Sequence, residues 1–155
     1  MLKKSREYTL KALYSIDSIY YDKILCHKKL CAFNLKYCKF KKLNIVNYTM
    51  YGFDKIFFSS KKSHTYNHLL LIGIFNNITI IDSIINVNLH NWKFERINMI
   101  EKNILRLAIY EMLYTNTSAS IIINEAVEMS KKYTVPKAFK FVNGILNNIK
   151  RYKNI

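Results

Sequence analysis

The stretch NILRLAIYEMLY, residues 103–114, decides how this chain is read. Ile104, Leu107, Ala108 and Met112, with Ile100 one turn earlier, recur at helical spacing, so they line one face of an α-helix. No glycine or proline interrupts the run, and the predicted helix spans residues 98–114.

Working toward the C-terminus, residues 116–118 form a polar break with capping chemistry. A second helix follows to about Tyr133, with Ile122, Ala126, Met129 and Tyr133 as its buried stripe. Pro136 suits the first turn of a last helix. There Phe141, Ile145 and Ile149 share a face, with Val142 and Leu146 beside them. Gly144 lies inside this helix at a cost of about 1 kcal/mol relative to alanine, which predicts a close helix–helix approach.

Toward the N-terminus, Thr9, Ala12, Leu13, Ile16 and Tyr20 make one stripe of a helix over residues 4–21. Ser63 is a plausible N-cap for a long helix reaching about Val87. Residues 88–94 connect it to the central helix. Residues 22–62 predict two shorter helices with a loop near residues 44–47. The whole reads as one all-α domain over residues 1–155, with about six or seven helices.

Composition agrees. Only three glycines and one proline occur in 155 residues, which disfavours a turn-rich all-β fold. Half the residues are hydrophobic, enough to build a core without a disulfide or metal. The apolar run at residues 69–75 is soon broken by Asn76 and Asn77, so no membrane span is expected. Three cysteines and no recognisable leader suggest a reducing, cytoplasmic setting.

The net charge is +15, but it is uneven. Residues 82–128 hold four basic and six acidic side chains, a net of −2 against +17 for the rest. A skew toward Ile, Asn, Lys and Tyr accounts for some lysines as drift, yet uniform drift leaves no acidic island. A basic surface suits a polyanion, and an acidic patch suits a second, basic partner. The plain alternative for both is a solvated helix face.

Three blocks in order carry more than periodicity. LRLAIYE at residues 105–111, INEAVE at 123–128 and KFVNGIL at 140–146 resemble the transcription antitermination factor NusB family. Asn91-Trp92, Arg96 and Glu101 belong to the same resemblance, as does SREYTLKALY at residues 5–14. Departures fall at helix ends: Ser118 stands where members often have proline, Tyr133-Thr134 replaces Phe-Gly, and Asn147 replaces Asp. An arginine-rich N-terminus is reduced to Lys3, Lys4 and Arg6.

The resemblance implies two packed helical subdomains and no enzymatic activity or cofactor. It implies binding of single-stranded, boxA-like RNA together with a ribosomal small-subunit protein that doubles as NusE. That complex acts on the RNA polymerase elongation complex during transcription of ribosomal RNA operons. Two other readings stay open. One is a protein-only adaptor with a decayed RNA site. The other is the RNA-binding piece of a ribosomal-RNA methyltransferase, although the Met1 start and basic end lead us to expect a free-standing chain.

For RNA, the candidates are Lys3, Lys4, Arg6, Tyr14, Lys137, Lys140, Phe141 and Asn143. Cations at the start of a helix oppose its dipole, a cost that phosphate contact offsets. Lysines neutralise phosphates, an exposed ring stacks bases, and an amide reads base edges. Tyr14 reads equally as a core residue, and the register of Phe141 with Ile145 favours the core. For the protein partner, the candidates are Asp82, Glu95 and Glu101. Arg106 and Glu111 are expected to make internal salt bridges. Cys26, His27, Cys31 and Cys38 lack the paired spacing of zinc sites, and no glutamate follows His64 before His68, so no metal is expected.

Overall fold

The computed structural model describes residues 2–27, 61–89 and 92–153; of the side chains, those of residues 3–18, 66–89 and 92–152. The expected helices and loop within residues 28–60, and the side chain of Tyr20, lie outside these; the helix that runs Lys61–Asn76 already contains Ser63, so Ser63 is not its N-cap.

Six α-helices are seen among the described residues, in the order α1 (Leu2–His27), α2 (Lys61–Asn76), α3 (Ile78–Val87), α4 (Met99–Tyr114), α5 (Ala119–Tyr133) and α6 (Ala138–Lys153), with a 3₁₀ turn at Phe94–Arg96 before α4. No strand is present among the described residues.

The helix that carries residues 103–114 is the hub. α4 packs against all five other described helices, α1, α2, α3, α5 and α6. Its predicted stripe understates its burial, since every residue from Asn103 to Ile109 is buried. A helix apolar over most of its circumference belongs in the middle of a bundle. Its start is fixed by Asn98, whose side chain accepts a hydrogen bond from the Ile100 amide at 3.0 Å. Such a cap is worth about 1 kcal/mol. Ser118 precedes α5 without a side-chain cap bond, although its carbonyl accepts from Ile122 N at 3.1 Å.

The predicted stripes are buried: Thr9, Ala12, Leu13 and Ile16 on α1, Ile122, Ala126 and Met129 on α5, and Val142, Ile145, Leu146 and Ile149 on α6. Tyr133 and Phe141 are half-buried against the core.

Two further expectations are corrected. The single long helix ending at Val87 is two helices, bent by 68° at Asn77. Asn77 supplies the cause: its Nδ2 donates to the Gly73 carbonyl at 2.8 Å, while its Oδ1 accepts from Tyr114 on α4 at 3.0 Å. A side chain that ends the ladder and is held by another helix produces a corner. Gly144 is the second correction. It is exposed, and a Cβ built there meets nothing within 4 Å, so no described helix approaches it. The close approach is instead at Gly73, where a Cβ would fall on the Tyr110 ring and hydroxyl of α4.

No single described helix is long and apolar enough to cross a membrane. The α2–α3 pair passes that test only as a bent unit, and Leu70, Leu71, Ile74, Phe75, Ile81 and Ile85 spend its apolar surface in the core.

Candidate nucleic-acid interface

The start of α1, the end of α5 and the start of α6 meet on one face. Lys3, Glu7, Glu128, Met129, Lys131 and Lys132 line an open depression of about 270 Å³ there. Lys131 also lies 5.6 Å from the centre of the Phe139 ring in the first turn of α6. Lys4 in the first turn of α1, Lys137 in the turn before α6 and Lys140 in its first turn are also exposed. Lysines in the last turn of α5 complement its dipole, whereas those at the starts of α1 and α6 oppose it. Helix N-termini that carry cations are suited to receive an anion.

Part of this charge is already matched. Glu7 accepts from Lys132 at 2.9 and 3.0 Å and from the Tyr133 hydroxyl at 3.2 Å. The Lys132 hydrogen bond holds the Glu7 carboxyl below its ordinary range. Glu128 accepts from Lys131 at 2.7 Å, and that bond lowers its pKa in the same way. Among the described residues, no carboxylate ion-pairs with Lys3, Lys4, Lys137 or Lys140.

Tyr14 is 43% exposed, so its ring is available outside the core. It lies eleven residues from Lys3, three helical turns along the same side of α1. On α6, Lys140 and Asn143 are exposed, and Asn143 Oδ1 accepts from Asn147 at 2.9 Å. Phe141 is half-buried and meets Trp92, their ring centres 6.1 Å apart and tilted by 55°. Lys150 and Arg151 sit at the far end of α6, where Lys150 donates to Ser120 on α5. They stand apart from the cationic face.

Arg6 corrects the sequence expectation. It is 3% exposed, and its Nε donates to both carboxylate oxygens of Glu111, at 2.8 and 3.1 Å. Burial lowers the guanidinium's pKa, but the Glu111 hydrogen bond and charge outweigh that and leave it raised. Tyr66 donates to the same carboxylate at 3.4 Å. Arg6 is therefore an internal tie between α1 and α4 and does not present its charge to a ligand.

The acidic stretch is divided as well. Arg106 on α4 donates through Nε and Nη2 to the two oxygens of Asp82, both at 2.7 Å, and through Nη1 to Asp17 at 2.7 Å. Asp82 and Glu111 thus serve the interior, and Asp82 stays half-exposed at the rim. Glu95 is exposed in the 3₁₀ turn, beside the Lys102–Phe94 contact of 4.4 Å. Burial pulls the Lys102 pKa down and the nearby Arg106 adds to this, with Asp82, Asp17 and Glu95 opposing. Burial also raises the Glu101 carboxyl above its ordinary value. Asp17, Tyr66 and Trp92 had no assigned role from sequence; only the fold shows what each one meets.

The geometry defines an all-helical protein, among the described residues, built around one central helix, with exposed lysines at the start of α1, the end of α5 and the start of α6. The chain belongs to the NusB family, whose sequence model matches residues 3–151. The transcription antitermination protein NusB of Thermodesulfovibrio yellowstonii is 35% identical over 148 residues, covering 95% of this chain and 89% of that protein. The NusB of Treponema denticola is 33% identical over 108 residues, covering 69% and 78%. The alignment with the NusB of Fervidobacterium nodosum is shorter: 45% identity over 78 residues, about half of each chain (50% and 55%). Among solved structures, T. maritima NusB superposes with a TM-score of 0.74 at 26% identity, covering 97% of this chain and 91% of that one. A complex of the antitermination factors NusB and NusE with dsRNA gives 0.70 at 24% identity, covering 97% and 96%, and shares the fold.

Proposed function

We propose that this chain is a transcription antitermination factor, a non-catalytic cytoplasmic binding module acting as one domain over residues 1–155. The near full-length family match, residues 3–151, carries this reading. Lys3, Lys4, Lys137 and Lys140 neutralise phosphates of a single-stranded, boxA-like RNA, Tyr14 and Phe141 offer rings to its bases, and Asn143 hydrogen-bonds it. Glu95 and Glu101, with Asp82 contributing only the exposed edge of a carboxylate already held by Arg106, face a basic ribosomal small-subunit protein acting as NusE. Holding both raises the effective concentration of each at the other, and the assembly joins the RNA polymerase elongation complex on ribosomal RNA operons.

The test is fluorescence anisotropy with a labelled boxA-like RNA, a scrambled RNA of equal composition and a duplex of the same length, across a salt series. The duplex arm matters because the related solved complex holds dsRNA. A preference for boxA, with a log–log salt slope of about −0.7 per neutralised phosphate, supports the reading. Equal binding to all three, or none, would favour a protein-only adaptor.

A further inference from the structure

The chain's single tryptophan stands outside the core. Trp92 is 59% exposed, in the connection between α3 and α4, although tryptophan is among the most buried residues on average. It is nevertheless braced. The indole meets the Phe141 ring at a tilt of 55°, and Phe141 is itself packed against the core. An exposed aromatic ring braced by a neighbour is a pre-organised surface and loses little freedom when something stacks on it.

Cations outnumber anions around it: Lys93 and Arg96 are exposed in the same connection, with Glu95 exposed between them. Across from it, α6 exposes Lys140, Asn143 and Gly144 beside Phe141. Gly144 lies one turn from both Lys140 and Phe141, and its missing side chain leaves the helix surface bare at that point. No packing contact among the described residues accounts for the glycine, and the bare surface leaves room for a ligand backbone to lie close to the helix.

We propose that Trp92 is a base-stacking residue of the RNA site, carrying it from α6 onto the α3–α4 connection. This rests on the RNA-binding reading above. The ring takes one unpaired base on its free face, while Lys93 and Lys140 hold the flanking phosphates. Stacking of this kind requires a single strand, because a duplex keeps its base faces covered.

Because Trp92 is the only tryptophan, its fluorescence reports this site alone. Full-length protein is titrated with a boxA-like single-stranded RNA. In parallel, anisotropy of the labelled RNA is measured for wild type, W92F, W92A and K140A, with circular dichroism confirming that each variant folds. The expected result is quenching of Trp92 emission with the same midpoint as the anisotropy. W92A should bind about tenfold weaker or worse with an unchanged salt slope, and W92F within about threefold of wild type. K140A should instead lower the salt slope by about 0.7. If RNA binds the wild type while Trp92 emission stays constant and W92A binds as tightly, the stacking role is overturned and the RNA reading survives. Emission that responds only to an added ribosomal protein would assign Trp92 to that partner and overturn it too. Failure of the wild type to bind any RNA would overturn both.

Discussion

Arg6 and Glu111 lie 105 residues apart in sequence and meet inside the protein, Nε to Oε2 at 2.8 Å, with side-chain exposures of 3% and 1%. This pair ties the first helix to the hub. Removing one partner leaves a charge buried without its counterpart, at a cost of about 3–5 kcal/mol. Arg6→Met and Glu111→Leu should each lower the urea midpoint sharply. The double variant should lose less than the sum of the two, because it strands neither charge. Additive losses would show that the residues contribute independently.

Gly73 faces the Tyr110 ring with no room for a Cβ. Tyr110 also stacks on Tyr114 at 5.0 Å, which limits where its ring can move. Gly73→Ala should therefore destabilise by about 1–3 kcal/mol through overpacking. Truncating Tyr110 to alanine in that background should recover part of the loss, because it removes the clash. Equilibrium unfolding of the four members of this cycle checks the coupling.

Gly144 predicts the opposite sign. Alanine there meets open space and improves helix propensity by about 1 kcal/mol, so Gly144→Ala should raise the melting temperature. The same variant should bind RNA more weakly, since the added methyl stands where the bare helix surface is used. A stabilised variant with unchanged RNA affinity would remove any functional reason for this glycine.

Glu7 sets part of the acid limit. Its carboxyl is held below the ordinary value of 4.5, chiefly by the hydrogen bond from Lys132. A depressed folded-state pKa means that this contribution is full above the unfolded value. It is lost as pH falls through the lower folded value. Glu7→Gln should therefore reduce stability at neutral pH and flatten the stability–pH profile on the acid side, leaving the alkaline side unchanged. Denaturant midpoints from pH 7 down to 3 read this directly.

The helices α4, α5 and α6 were legible because their stripes are long and regular, as Ile104, Leu107, Ile122 and Val142 show. The bend at Asn77 was not, since half of its cause is Tyr114, 37 residues away. The role of Arg6 was misread for the same reason. A cation near a helix start reads as a phosphate contact until Glu111 is known to stand opposite it. The pairing of Asp82 with Arg106 is equally non-local, so an acidic residue that looked available to a partner is half engaged inside. The apolar stripes depend on one helix at a time; the bend at Asn77 and the role of Arg6 depend on two.

The corner at Asn77 has a consequence for spacing. Continued straight from α2, Asp82 would ride roughly 9 Å beyond the end of that helix, away from the hub. Turned through 68°, it comes back to clamp Arg106. Asn77 thus works like a bracket. One amide, fastened by Tyr114, sets the angle at which α3 returns toward α4, and so where Asp82 meets Arg106.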